Sequence, residues 1–306
     1  MKGPAISALI TNCSARKTAK SAAGLNFADL ETGPQEDIAR QWRAALERAP
    51  VVARAADLYC GRGIQRVHRL AERLGAPMFI ASAGLGLVRD EERVPSYDLS
   101  VSASAPSAVQ RRVAGGFSAK DWWVSLQQSR YAVPIREVLA ESASDGLILI
   151  ALSSGYVPLL ADQLHQLEPG QRERLRLFGA VDSKYPPDLL PLLMPYDARL
   201  DALIRGSKVD FAQRAAEHFV VGCVSDQEFP LGLQQQRGWV EAKLAKVAVQ
   251  SVTRRQTLAD VEIRAIAAKL AAQGVRQTKA LTILRRERGI ACEQSRFRRL
   301  FLEATR

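Results

Sequence analysis

Two uninterrupted apolar runs constrain the fold more than any other feature of the sequence. Residues 146–152 read Gly-Leu-Ile-Leu-Ile-Ala-Leu, and residues 78–81 read Met-Phe-Ile-Ala, with no polar alternation in either. A strand of this kind is buried on both faces, which is typical of a parallel sheet covered by helices on each side. Helical spacing surrounds these runs, as at Ile38, Trp42 and Leu46. The sequence therefore predicts an α/β fold.

The order of the elements refines this prediction. We predict strands over residues 5–11, 78–81, 146–152, 175–181 and 218–224. We predict helices over residues 34–48, 64–74, 134–142, 158–167, 189–204 and 234–250, with Gly75 ending the second of them in a left-handed conformation. Because strands and helices alternate, we expect a three-layer αβα sandwich with a mainly parallel central sheet.

The charge distribution sets the C-terminal residues apart. The chain carries a formal net charge of +11, and residues 251–306 hold thirteen Lys and Arg against five Asp and Glu. Three short helical patterns there, separated at Gly274 and Gly289, predict a small all-α module of the helix-turn-helix type. We therefore predict an α/β domain over residues 1–250 and a basic DNA-binding domain over residues 251–306.

The basic module offers six arginines that could contact phosphates. They are Arg285, Arg286, Arg288, Arg296, Arg298 and Arg299. The alternative is that these side chains form an ordinary solvated face of a helical bundle. In the phosphate-binding interpretation the partner is double-stranded DNA.

Several classes of protein are disfavoured by composition and motifs. The four cysteines are scattered and form no CxxC pair, so we expect neither a disulfide framework nor a metal site. No P-loop and no GxGxxG pattern occurs, and we expect no cofactor. No apolar run approaches the roughly 20 residues of a membrane span, and the N-terminus lacks a signal-peptide pattern. We expect a cytoplasmic location.

Polar side chains follow the first predicted strand. Residues 12–17 read Asn-Cys-Ser-Ala-Arg-Lys, and they bring together an amide, a hydroxyl, two cations and backbone N–H groups. Such a set suits a phosphate or an anionic transition state. Cys13 is a weak candidate nucleophile because no histidine is paired with it in the sequence. The candidates from this segment are Asn12, Ser14, Arg16 and Lys17.

The next two buried runs also end in small or polar residues. These are Ser82 and Gly84 after residues 78–81, and Ser154 and Tyr156 after residues 146–152. Small residues let a ligand approach the backbone closely. The alternatives are an ordinary surface turn at the first position and a capped helix start at the second.

Further along the chain, Tyr97 and Asp98 supply an aromatic face and a carboxylate, bracketed by Pro95 and Ser100. A carboxylate can serve as a general acid or base. The alternative is that this segment is an ordinary surface loop.

Four ordered segments together resemble the YaaA-like family, including its short bacterial and phage relatives of uncharacterised function. They are residues 12–17, residues 57–61 (Asp-Leu-Tyr-Cys-Gly), residues 79–87 (Phe-Ile-Ala-Ser-Ala-Gly-Leu-Gly-Leu) and residues 97–101 (Tyr-Asp-Leu-Ser-Val). The resemblance spans residues 5–160, about half the chain. It implies a core similar to the uracil-DNA-glycosylase fold, with the site at the carboxyl ends of the strands.

The chain departs from this family at two points. Gly84 stands where relatives often have lysine, and Pro95 lies one residue early in the loop before Tyr97. The missing lysine implies a roomier and less charged pocket, as a bulky modified base would require. The water-activating motif of uracil-DNA glycosylases does not occur in this sequence.

The resemblance and the basic module together lead to a functional hypothesis: a DNA glycosylase that flips a modified or damaged base out of the duplex and hydrolyses its N-glycosidic bond. Tyr97 would stack on the base, with Tyr59 or Tyr156 as competitor. Asp98 would activate water or stabilise the oxocarbenium ion. Asn12, Ser14 and Lys17 would orient the base or phosphate and stabilise the departing anion. By resemblance alone, the role would be defence against phage with modified DNA.

Two alternatives remain open. One is a non-catalytic DNA-binding protein of the stress response, a role that YaaA-like proteins have also been given. The other is a transglycosylase or another enzyme of modified-base synthesis that acts on free nucleotide or RNA.

Overall fold

The computed structural model describes residues 4–180, 185–226, 229–248 and 256–305. Contacts within the chain divide it into two units, Met1–Ala248 and Val249–Arg306. The predicted boundary segment, residues 251–257, lies mostly outside the described residues. Each unit has a hydrophobic core of its own.

The first unit alternates strands and helices. Its strands are β1 Ile6–Asn12, β2 Ala53–Arg54, β3 Met78–Ser82, β4 Gly86–Arg89, β5 Arg93–Val94, β6 Leu147–Ala151 and β7 Leu175–Phe178. Its helices are α1 Gln35–Arg48, α2 Ala55–Leu58, α3 Arg62–Leu74, α4 Ala119–Leu126, α5 Ile135–Glu141, α6 Val157–His165, α7 Pro169–Glu173, α8 Leu200–Leu203, α9 Phe211–Ser225 and α10 Leu233–Ala245. No helix in the described ranges has the length and apolar character needed to cross a membrane.

The central sheet has five strands in the order β4-β3-β1-β6-β7. All neighbouring pairs are parallel except β3 and β4, which form an antiparallel pair at one edge. Every residue of β3, β6 and β7 is buried, so helices cover both faces. Helices α3 and α9 contact each other and the sheet, while α4 contacts both α1 and α6. The predicted mixed α/β fold with a mainly parallel central sheet is thus confirmed.

One predicted strand is wrong. Residues 218–224, which read as a β-branched apolar run, belong to α9. The helix forms because its buried residues recur at helical spacing from Ala212 through Ala215 and Phe219 to Cys223. The strand prediction considered only the last turns of this stripe.

Two other predictions hold only in part. The helix predicted over residues 189–204 is reduced to a 3-10 turn at Pro187–Leu192 and the single turn of α8, since Pro191 and Pro195 interrupt it. The strand predicted over residues 175–181 ends at Phe178, and residues 181–184 lie outside the described ranges. Gly75 ends α3 with φ of 62°, as predicted.

The second unit is mainly helical. Its elements are β8 Gln256–Thr257, α11 Asp260–Ala272, α12 Gln277–Arg286, β9 Ile290–Ala291 and α13 Gln294–Ala304. The inward side chains include Ile263, Leu284, Phe297 and Leu300. Helical spacing predicts an apolar stripe of Leu258, Val261, Ile266 and Leu270 for the first helix of this unit, but Val261 is 69% exposed.

The contact between α9 and α10 gives a stability prediction. A Cβ atom at Gly222 would overlap Cη2 of Trp239, a ring held against Phe229. Gly222→Ala should therefore lower the free energy of unfolding by about 1–3 kcal/mol. Gly238→Ala, in open space in α10, should raise it by about 0.5–1 kcal/mol. Urea denaturation measures both, and equal effects of the two substitutions would contradict this packing.

Candidate functional site

Parallel strands β1, β3 and β6 end at the same edge of the sheet, and chemically versatile side chains gather there. Cys13 follows β1, Ser82 ends β3, and Tyr156 lies in the turn between β6 and α6. Loops bring Tyr59 and Tyr97 to the same place. The carboxyl edge of such a sheet is where α/β proteins commonly bind ligands.

These five side chains form a connected cluster, which we call the hydroxyl–thiol cluster. Sγ of Cys13 lies 3.1 Å from the Tyr156 hydroxyl and 3.4 Å from the Tyr97 hydroxyl. Oγ of Ser82 lies 2.7 Å from the Tyr97 hydroxyl and accepts a 3.1 Å hydrogen bond from Tyr59. Burial raises the pKa of all three phenols, Tyr97 and Tyr156 well above the ordinary value. The phenols therefore remain protonated at neutral pH and can act as hydrogen-bond donors.

Lys17 lies directly against this cluster. Its Nζ is 4.1 Å from the centroid of the Tyr97 ring and 5.7 Å from that of Tyr59. Its side chain is half-buried and forms no salt bridge within the described ranges. Burial lowers the pKa of the Lys17 ammonium, and the nearby Cys13 and Asp98 oppose this shift. A lysine in such a setting can lie over an anionic group or give up its proton more easily than a surface lysine.

Two backbone hydrogen bonds fix the position of Asp98, and its carboxylate is accessible. Its N–H donates to Leu25 O at 2.9 Å, and its carbonyl accepts from Phe27 N–H at 2.7 Å. The residue is exposed, and in the described part of the chain its carboxylate has no hydrogen-bond partner. The Asp98 charge opposes the lowering of the Lys17 pKa, although no ion pair within 4.0 Å joins the two side chains in the described ranges.

The predicted stacking role of Tyr97 is wrong for this conformation. Tyr97 is only 1% exposed, because Lys17 covers its face and Trp42 packs against it edge-on with centroids 6.0 Å apart. Tyr59 is fully buried as well. Tyr156 is half-buried and is the most accessible of the three candidate aromatic residues.

The roomier pocket expected at Gly84 is also wrong. A Cβ atom there would lie 2.9 Å from the Tyr97 ring and 3.0 Å from Cζ2 of Trp42. Nε1 of Trp42 donates a 2.7 Å hydrogen bond to the Gly84 carbonyl and fixes this arrangement. The glycine is required because two aromatic rings fill the space beside it, and no ligand space is gained.

The side chain of Asn12 is engaged by the protein itself. Its Oδ1 accepts from the backbone N–H of Ser153 at 2.9 Å and from Nε2 of Gln213 at 3.2 Å, and its Nδ2 donates to the Cys13 carbonyl at 3.0 Å. Asn12 therefore ties the ends of β1 and β6 to α9. We expected Asn12 to orient a base or phosphate, but both ends of its amide are instead hydrogen-bonded within the protein.

The remaining candidates near the first strand have different surroundings. Oγ of Ser14 donates to Arg16 O at 2.8 Å and accepts from Gly61 N–H at 3.2 Å, so this hydroxyl stabilises a turn. The predicted role of Ser14 in orienting a ligand is thereby disfavoured. The Arg16 side chain is exposed, and Ser154 is half-buried with no side-chain hydrogen bond in the described ranges. Both can still contact a ligand.

Sequence reasoning missed two residues that organise this edge. Cys13 was considered only as a nucleophile, although it connects the hydroxyls of Tyr97 and Tyr156. Gln213 is not among the predicted site residues, because no helix or strand is predicted over residues 205–217. A polar residue within the apolar stripe that begins at Ala212 was the available signal for Gln213.

In the second unit, three of the six candidate arginines are used for internal contacts. Arg285 donates to the Cys292 carbonyl, Arg296 forms an ion pair with Asp260, and Arg299 forms ion pairs with Asp260 and Glu303. Hydrogen bonds from Arg299 and Arg296 lower the pKa of Asp260.

The side chains of the other three, Arg286, Arg288 and Arg298, have no hydrogen bond or ion pair to any described residue. They are therefore the arginines available to a polyanion. Arg299 lies outward as its position in the helix predicts, with 54% of its side chain exposed, but its charge is paired with Asp260 and Glu303.

Comparisons of the chain with protein-family models, with curated proteins and with solved structures find no match. Among the described residues, no group of His, Cys, Asp and Glu side chains is arranged to hold a metal ion. The family resemblance of the four segments remains a prediction.

The proximity of Lys17 and Asp98 can be measured by titration. NMR of 13C-labelled lysine should give Lys17 a midpoint below 10.5. Asp98→Asn should lower this midpoint further, because the carboxylate charge favours the ammonium form. Glu91→Gln, which changes an exposed carboxylate of the β4–β5 turn, should leave it unchanged. An unaltered midpoint in Asp98→Asn would show that the two side chains do not interact.

Proposed function

We propose that the first unit is a DNA glycosylase that removes a modified or damaged base, and that the second unit binds the duplex. The observation that carries this proposal is the accessible Asp98 carboxylate, whose charge favours the ammonium form of the half-buried Lys17 at the carboxyl edge of the sheet. A carboxylate and a cation at one site match the two charges that develop when an N-glycosidic bond breaks.

In the proposed reaction, water adds to C1′ of the sugar and the C1′–N bond breaks. The base leaves with the electron pair of that bond and takes up a proton. Asp98 accepts a proton from the attacking water or stabilises the oxocarbenium ion. Lys17 stabilises the negative charge on the departing base, and Tyr156 replaces Tyr97 as the candidate stacking face. The hydroxyl–thiol cluster holds Lys17 in position.

We also propose finer assignments for both units. The sheet order and the location of the site support a uracil-DNA-glycosylase-like arrangement of the first unit. Helices α12 and α13, separated by residues 287–293, support a helix-turn-helix-like second unit. There Arg286, Arg288 and Arg298 would contact phosphates. In cells, the proposed role is defence against phage that carry modified bases.

The principal alternative is a DNA-binding protein without catalytic activity. The observation that favours it is the closed packing of Tyr59 and Tyr97, which leaves Tyr156 as the accessible aromatic candidate. A transglycosylase or another enzyme of modified-base synthesis would need the same carboxylate but would act on free nucleotide or RNA.

The glycosylase proposal predicts loss of activity in Asp98→Asn. With duplexes that carry hypermodified bases, the wild-type chain should generate abasic sites, detected by strand scission after alkali. Asp98→Asn should slow excision by about 10²–10⁴-fold, while Glu91→Gln should not. If no base is released from any substrate although the duplex is bound tightly, the glycosylase proposal fails. If Asp98→Asn keeps full activity, the assignment of this carboxylate fails.

The DNA-binding proposal predicts unequal roles for the arginines. Combined replacement of Arg286, Arg288 and Arg298 by glutamine should reduce the slope of the logarithm of the binding constant against the logarithm of the salt concentration. The expected reduction is about one unit of slope for each phosphate that is no longer neutralised. Arg299→Gln should have a smaller effect, because Asp260 and Glu303 already compensate its charge. Fluorescence anisotropy over a salt series measures both slopes, and an equal change per arginine would contradict the assignment.

A further inference from the structure

A cavity of about 740 Å³ lies at the amino edge of the sheet, opposite the site described above. It is bounded by the starts of β6 and β7, the end of α7 and the first turn of α10. All of its lining residues belong to the first unit. Its volume falls in the range typical of small-molecule sites.

The most unusual side chain of this cavity is Arg176, which is 1% exposed. Its Nε donates to Oε1 of Gln236, and its Nη1 donates to the carbonyls of Glu173 at 2.6 Å and Leu175 at 2.8 Å. All of these acceptors are neutral. In the described ranges no carboxylate lies within 4.0 Å of the guanidinium, and Nη2 makes no hydrogen bond. Burial lowers the pKa of Arg176 to about 10, so the group is still charged at neutral pH.

A buried charge without a counter-ion is costly. Arg174 adds a second cation at this cavity, and its guanidinium also donates only to carbonyls, those of Gly146, Leu139 and Ala143. The carboxylates of Asp145 and Glu173 are exposed in the lining, and neither forms an ion pair with these arginines. Within the described ranges, the cavity lining therefore presents two guanidinium groups that no carboxylate pairs with.

The first turn of α10 also lines this cavity. Gly232 precedes this 13-residue helix and donates its N–H to Oε1 of Gln235 at 3.4 Å, while the backbone N–H groups of Leu233 and Gln234 donate no hydrogen bond within the described ranges. The N-terminus of a helix attracts anions through these free N–H groups and its dipole.

Gln236 fixes the helix start and the guanidinium relative to each other. It accepts from Arg176, and its Nε2 donates to the carbonyls of Pro230 at 2.8 Å and Leu231 at 3.0 Å. The loop before α10 and the buried cation are thereby joined through one amide.

We propose that this cavity binds the phosphate group of a small organic phosphate. A phosphate accepts several hydrogen bonds at once, and the α10 N–H groups together with the buried guanidinium supply them. Because the cavity is much larger than one phosphate, the remaining volume accommodates the organic part of the ligand. The proposal is independent of the glycosylase activity, since the two sites lie at opposite edges of the sheet.

Isothermal titration calorimetry of the full chain with AMP, adenosine and inorganic phosphate tests this site. AMP should bind saturably, inorganic phosphate more weakly, and adenosine more weakly than AMP. Gln234→Glu should weaken AMP binding at least about fivefold, the effect of one like charge a few ångströms away in a water-like dielectric. Gln128→Glu, with the same charge change on an exposed residue away from the cavity, should bind AMP like the wild type.

Arg176→Met should abolish AMP binding, with the thermal midpoint of the variant reported beside it. If Arg176→Met does not fold, Gln234→Glu still tests the phosphate site, because a carboxylate in the first turn of a helix favours stability and this variant is expected to fold. No saturable binding of AMP, equal affinity for adenosine, or unchanged AMP binding by Gln234→Glu would each overturn the phosphate site. Inorganic phosphate binding as tightly as AMP would overturn the organic part of the ligand.

Discussion

The parallel pairing of three buried strands is the constraint on which the rest of the first unit depends. Strand β1 lies between β3 and β6 and pairs in parallel with both, so all three end at one edge. Gln213 of α9 lies within hydrogen-bond distance of Thr11 Oγ1, Asn12 Oδ1 and Ala151 O at this edge. The hydroxyl–thiol cluster and Lys17 owe their proximity to this arrangement, because the segments that carry them are far apart in the sequence.

Much of the sheet could be predicted from the sequence, because a continuous apolar run of four to seven residues between turn residues is compatible with few structures other than a strand buried on both faces. Helix ends with local signals, such as Gly75, were equally predictable. Contacts between distant side chains were not, because periodicity carries no information about partners. Thus Lys17 and Asp98 were identified as candidates, whereas the coverage of the Tyr97 ring by Lys17 and the pairing of Arg299 with Asp260 became visible only in the structure. Gln213 was missed because the first turns of α9 were not predicted as a helix.

The two edges of the sheet differ in chemistry. At the carboxyl edge, a cation and an accessible carboxylate lie beside protonated phenols and a thiol, a combination suited to a reaction in which charge develops. At the amino edge, Arg176 and the first turn of α10 offer only hydrogen-bond donors and positive charge, which suits binding of an anion. The structure thus separates a candidate reactive site from a candidate binding site within one unit.

The proposed function requires that nucleic acid reaches the carboxyl edge of the sheet at Lys17 and Asp98. The most direct measurement is an NMR titration of the full chain, labelled at lysine and tyrosine, with a duplex that carries a tetrahydrofuran abasic-site analogue. We expect saturable shifts of the Lys17 and Tyr156 signals that parallel those of Lys279, an exposed lysine of α12 in the second unit. Shifts confined to the second unit, with Lys17 and Tyr156 unchanged at saturation, would contradict it.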